Sequence, residues 1–118
     1  IIDAGSAITV DVMNKGVFTG GFIYPGVIAM ENTYKSISSA LDYKFNYDVD
    51  LESLPKNSKD AISYGFLKTL YAEVMSHNKK VYLTGGDAHK LQRVFKKAQH
   101  EKYLLFESMK KIIQKSLS

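Results

Sequence analysis

The sequence predicts an α/β domain with its elements in the order βββαα-βα-βα, and three observations carry that expectation. Two apolar, largely β-branched stretches, Ile1-Ile2 and Ala7-Ile8-Thr9-Val10, flank the polar break Asp3-Ala4-Gly5-Ser6, the pattern of two strands joined by a turn. Ile62, Phe66, Leu70 and Val74 fall four residues apart, as on one face of a long helix. Lys80–Thr84 reads as a short strand ending on Gly85-Gly86-Asp87, after which Leu91, Val94, Phe95 and Ala98 keep a helical i, i+3, i+4, i+7 rhythm.

Between and beyond these anchors the remaining elements follow in order. Gly20-Gly21-Phe22-Ile23-Tyr24-Pro25-Gly26-Val27 reads as a third strand whose Pro-Gly turn opens a helix. That helix runs from Val27 to about Leu41, loosely periodic and rich in Ser and Thr. From Asp42 to Asn57 the residues Tyr43, Phe45, Tyr47, Val49 and Leu51 stand at every second position, the spacing of extended chain. A connection of that length needs a task, and packing of its aromatics is the expectation. Ser58 is the expected N-cap of the helix Lys59–His77, with Asp60 at its positive dipole end. This should be the central helix on the sheet, and its N-terminus a natural point for an anion or hydroxyl. Lys102–Phe106 supplies the last strand, and Met109, Ile112, Ile113 and Leu117 line one face of a closing helix.

Composition narrows the function classes. A chain of 118 residues suits one domain with a real core. Cysteine is absent, which excludes a disulfide framework, a thiolate metal site and a cysteine nucleophile, and suits a reducing cytoplasm. The longest apolar runs are strand-sized, well short of the roughly 20 residues of a membrane helix, so a soluble chain without membrane attachment is expected. Sixteen Lys and Arg against 12 Asp and Glu give a formal charge of +4, but the lysines are dispersed and Arg93 is the lone arginine. No basic stripe interleaved with aromatics appears, so nucleic acid is not an expected partner. His77, His89 and His100 lack metal-ligand spacing and receive no role.

Chemistry concentrates at the first turn. Gly5 leaves backbone N–H groups open to anionic oxygens, Ser6 can donate a hydroxyl, and Asp3 can hold a cation that offsets phosphate charge. The same four residues would also serve as a plain hairpin connection. Asp11, at the end of the second strand, could hold metal-bound water or a lysine, or be a solvated strand-end carboxylate. Gly20, Gly21, Gly85 and Gly86 suit close backbone approach.

Four motifs in fixed order carry a resemblance: Asp3-Ala4-Gly5-Ser6, Gly20-Gly21-Phe22-Ile23-Tyr24-Pro25-Gly26, Asn57-Ser58-Lys59-Asp60-Ala61-Ile62-Ser63-Tyr64-Gly65 and Thr84-Gly85-Gly86-Asp87-Ala88. Together they closely resemble the second half of type III pantothenate kinases, and a set is far more specific than any one of them. The resemblance implies an actin-like ATPase (ribonuclease H-like) domain, whose order matches βββαα-βα-βα. It also implies ATP-dependent phosphorylation of pantothenate to 4'-phosphopantothenate, the first step of coenzyme A synthesis.

On the same resemblance, Asp3 matches the aspartate that binds a monovalent cation, potassium or ammonium. Ser6, with Gly5 beside it, matches the threonine that contacts ATP phosphate, and Ser58 matches the threonine that contacts pantothenate. Serine in both places keeps the hydroxyl and loses a methyl, so the hydrogen bond survives with a less fixed rotamer. Read without the resemblance, Ser58 is a plain helix cap. Gly85-Gly86 lies where related kinases hold adenosine, and magnesium accompanies ATP. A homodimer is implied too, because the family builds its pantothenate pocket across the subunit interface. The family's Asp-x-Gly-Asn-Thr phosphate loop and its Gly-x-Asp-Arg segment, which carries the catalytic base, do not occur in these residues. The resemblance therefore implies a missing N-terminal half and a 118-residue piece that is inactive alone. Two alternatives share the fold, a non-catalytic regulatory or scaffolding relative and a kinase with a sugar or acetate as acceptor.

Overall fold

In the computed structural model, which describes residues 1–100, the chain opens with β1 (Ile2–Ala4), β2 (Ala7–Asn14) and β3 (Val17–Pro25). There follow α1 (Val27–Ile37), a 3-10 turn at Ser39–Leu41, α2 (Ser58–Met75), β4 (Tyr82–Thr84), α3 (Ala88–Leu91) and β5 (Gln99–His100). The strands form one mixed sheet in the order β3-β2-β1-β4-β5, antiparallel from β3 to β1 and parallel from β1 to β5. The expected strand Lys102–Phe106 and the helix carrying Met109, Ile112, Ile113 and Leu117 lie outside the described residues.

Strand alternation assigns the two faces of the sheet. Ile2 pairs with Val10 and Ala4 with Ile8, all buried, while Asp3 pairs with Thr9 on the opposite face. Tyr24, paired with Ile8, stacks on Phe66 at 5.3 Å between ring centroids, so α2 lies across the apolar face. Ile62, Phe66, Leu70 and Val74 are all buried there, as their spacing predicts. Each such side chain contributes about 1.5–3 kcal/mol of burial energy, which makes α2 the main support of the sheet. The segment 42–57 carries no helix or strand, and its alternate residues do pack on the core. Phe45 stacks on Phe66 at 4.8 Å and meets Tyr34 edge-on, while Tyr43 stays exposed.

Several boundaries differ from the expectations for identifiable reasons. The first turn is Gly5-Ser6 alone, with Asp3 and Ala4 inside β1. A second hairpin turns at Lys15-Gly16, both at positive φ, which extends β2 to Asn14 and starts β3 at Val17. The first helix stops at Ile37 because Ser38 turns extended and its side chain accepts the Ala40 N–H, capping the short turn that reaches Leu41. Asn57, not Ser58, is the N-cap of α2, its Oδ1 accepting the Asp60 N–H at 2.9 Å. The helix expected to run through Ala98 ends at Leu91. Leu91, Val94 and Phe95 are buried nonetheless, but Gln92 donates through Nε2 to the Phe95 and Ala98 carbonyls, and the Gln99 N–H turns to the Val81 carbonyl beside β4. Sheet pairing takes the chain before a longer helix can form.

Candidate functional site

The Gly5-Ser6 turn sits at the carboxyl end of β1, next to the carboxyl end of its parallel neighbour β4, the place where open α/β sheets take ligands. The Gly5 N–H donates to the Ala7 carbonyl at 3.0 Å and so closes the hairpin. Gly5 thus offers an incoming anion room rather than a donor, which corrects its expected part, while Ser6 is exposed.

Two further turns close on this one. A Cβ added at Gly26, the residue before α1, would lie 2.2 Å from the Ser6 carbonyl oxygen and 2.7 Å from that of Gly5. Only glycine lets the start of α1 dock so closely. On the other side Gly85, at φ +96°, approaches so near that a Cβ would lie 2.6 Å from both the Ala4 carbonyl oxygen and an Asp3 carboxylate oxygen. The Asp87 N–H donates to that same Ala4 carbonyl at 2.9 Å. Asp3, Gly5, Ser6, Gly26, Gly85 and Asp87 therefore share one end of the sheet. Gly86 and Gly20 have open space where a Cβ would stand, so neither is required by close approach; Gly20 adopts φ +137° beside the irregularity at Val12/Met13.

Burial raises the Asp3 pKa, and the charge of Asp11 raises it further. Asp11 is the residue most misplaced by sequence reasoning: it lies in the middle of β2, is 3% exposed, and is no solvated strand-end carboxylate. The β2 alternation puts it on the Asp3 face, two residues beyond Thr9. A half-buried carboxylate whose charge is disfavoured in both ways gains from a bound cation, so the residues present fit one. Among the described residues no three His, Cys, Asp or Glu side chains gather as a metal centre.

Ser58 belongs to a second group, at the first turn of α2, where it is exposed as the first helical residue. The segment 42–57 is fastened to this turn: Asn46 donates its backbone N–H to Ser63 Oγ at 2.8 Å and its Nδ2 to Asp60 Oδ1 at 3.2 Å. Glu31 fastens the segment from the other side, accepting the buried Phe45 N–H at 2.7 Å. No sequence pattern marks Glu31, the single acid of α1, as a buried acceptor. Tyr47, in the same segment, meets Phe45 edge-on. Burial, then the charges of Glu31 and Asp87, push its hydroxyl pKa above the usual tyrosine range and keep it protonated.

Comparison with known proteins identifies the family. The family model for type III pantothenate kinase matches residues 1–80. A type III pantothenate kinase of Sulfurimonas denitrificans is 53% identical over 116 residues, covering 98% of this chain and 57% of the relative. One from Campylobacter hominis is 47% identical over 116 residues, covering 97% of this chain and 56% of its own length. The chain thus spans somewhat more than half the length of these curated relatives. A crystal structure from Campylobacter jejuni, put forward as a conserved Baf family transcriptional activator, superposes with a TM-score of 0.79 at 42% identity, covering 97% of this chain and 56% of that one.

Proposed function

The chain belongs to the type III pantothenate kinase family, and on that premise we propose that it supplies the second half of an active site that transfers phosphate from ATP to pantothenate. The observation that carries this reading is the gathering of Asp3, Ser6 and the Gly26 and Gly85 turns at one end of the sheet.

Phosphoryl transfer asks a protein chiefly for positioning and for stabilisation of charge. The Ser6 hydroxyl is exposed at the turn and donates to a phosphate oxygen, while Gly5 leaves room beside it. Asp3 would hold a monovalent cation, potassium or ammonium, whose positive charge would offset the negative charge of the phosphates. Gly85 and Gly86 border the adenosine side, and ATP arrives with magnesium. Ser58, at the start of α2, orients pantothenate with its hydroxyl and the neighbouring backbone N–H groups. The base that takes the proton of the pantothenate hydroxyl comes from the part of the enzyme that relatives carry ahead of the matched region. A homodimer completes the pantothenate pocket, and the cytoplasm is the compartment. No helix among the described residues is long and apolar enough to cross a membrane.

The test is ATP-dependent formation of phosphopantothenate by the full-length protein that contains this chain, in potassium and then in sodium. Potassium-stimulated product is the expected result. A purified, folded full-length protein that makes no phosphopantothenate in either salt would overturn the reading. It would favour instead a non-catalytic regulator, the class suggested by the name given to the Campylobacter jejuni structure.

A further inference from the structure

We propose that Asn46 is a positioning residue for the pantothenate contact at Ser58, acting through Asp60 and Asn57; the inference rests on the role given to Ser58 above.

The first turn of a helix has backbone N–H groups without intrahelical partners, so its geometry depends on what caps it. In α2 the cap is reciprocal. Asn57 Oδ1 accepts the Asp60 N–H at 2.9 Å, and Asn57 Nδ2 donates back to Asp60 Oδ2 at 3.2 Å. Ser58 lies between the two members of this pair, so the direction of its hydroxyl depends on how firmly they hold each other. Left to itself, a side-chain pair at an exposed helix end exchanges readily with water.

Asn46 removes that freedom. Its Nδ2 donates to the remaining Asp60 oxygen, Oδ1, at 3.2 Å, so both carboxylate oxygens are engaged and the Asp60 rotamer is fixed. Asn46 is itself anchored twice more. Its backbone N–H donates to Ser63 Oγ at 2.8 Å, and its Oδ1 accepts the Asp48 N–H at 3.0 Å. Ser63 is fully buried in α2 and donates onward to the Lys59 carbonyl at 3.1 Å. The preceding residue, Phe45, is core, stacked on Phe66 and tied by its N–H to Glu31. A rigid part of the core thus reaches the residue beside the substrate through three side chains, a chain of support that a plain helix cap does not need.

Steady-state kinetics of the full-length protein test this. Asn46→Ala and Asp60→Ala are each expected to raise the KM for pantothenate about fivefold, with kcat and the KM for ATP moved by less than about twofold. Because the two residues act on one path, the double variant should resemble Asp60→Ala alone. Hydrogen exchange supplies a second readout: the amides of residues 58–60 should exchange faster in Asn46→Ala. An unmoved pantothenate KM, multiplying effects in the double variant, or kcat and both KM values shifting together would overturn the proposal. Ser58→Ala separates the two levels. If it raises the pantothenate KM and Asn46→Ala does not, the positioning role alone fails; if Ser58→Ala has no effect, the role of Ser58 fails and takes the positioning role with it.

Discussion

Burial at the end of β1 and the neighbouring Asp11 charge together raise the Asp3 pKa, which fixes the sign of its contribution to stability. The folded carboxyl holds its proton more tightly than the unfolded one. Its contribution is therefore fully present below the ordinary aspartate pKa of about 3.9 and is lost as pH rises through the raised folded value. At pH 7.5 the charged side chain is a net burden on the fold, although the cation proposed here needs that charge. Asp3→Asn should accordingly melt no lower than the parent at pH 7.5, and potassium should cease to raise its Tm; a clearly lower Tm would contradict the burial argument. Gly85 presents the opposite case. A methyl group there would reduce the freedom of the unfolded chain, worth up to about 1 kcal/mol, but it would meet the Ala4 backbone oxygen at 2.6 Å from a residue at φ +96°. A carbonyl in a central strand cannot swing aside as a flexible side chain can, so the clash wins. Gly85→Ala should lose about 2–4 kcal/mol in urea unfolding, and a variant as stable as the parent would show that the β4 turn is free to move.

Elements differ in how plainly the sequence announces them. The period of four in Ile62, Phe66, Leu70 and Val74, and the period of two through Phe45, Tyr47, Val49 and Leu51, are both readable because burial forces apolar side chains onto one side. Side-chain hydrogen bonds leave no such trace. Gln92 helps cut α3 to Ala88–Leu91 while the apolar rhythm continues to Phe95, and Asn57 and Ser58 are equally good caps on paper. Asp11 is hard to place from the sequence because the apolar run stops at Val10, whereas β2 continues to Asn14 and turns an apparent strand end into an interior. At the candidate site the turns at Asp3, Gly26 and Gly85 are legible as motifs, whereas Asn46 and Glu31 acquire their parts only when distant segments meet. The cap assignment is open to measurement: Asn57→Ala should cost about 1 kcal/mol of stability and Ser58→Ala close to nothing, the reverse order being incompatible with the observed helix start. Glu31→Ala should cost about 1–3 kcal/mol, since the buried Phe45 N–H is left without its acceptor.

For the molecule as a whole, the arrangement of charge decides what this length of chain can do. The sheet end formed by β1 and β4 gathers an exposed hydroxyl, a half-buried carboxylate and closely packed glycine turns, which on the proposed reading hold phosphate. Proton removal from the acceptor is another matter. On the proposed reading Asp3 holds a cation; Asp11 is buried in mid-strand, and Asp60 has both oxygens engaged by Asn46 and Asn57. None of the three is a free base beside an acceptor hydroxyl, and a positioned base contributes about 10²–10⁴-fold to the rate. The relatives, of which the chain spans 57% in the Sulfurimonas denitrificans case, have a further length of protein in which such a base can lie. We therefore expect the purified 118-residue chain to form no phosphopantothenate above background in a coupled assay, even with potassium and saturating ATP. Joining it to the preceding length of the protein should bring activity back by at least the factor that a base supplies. Turnover by the isolated chain at a rate comparable with the joined protein would mean that a carboxylate within these residues acts as the base, and Asp87, beside the Ala4 carbonyl, would be the first to replace.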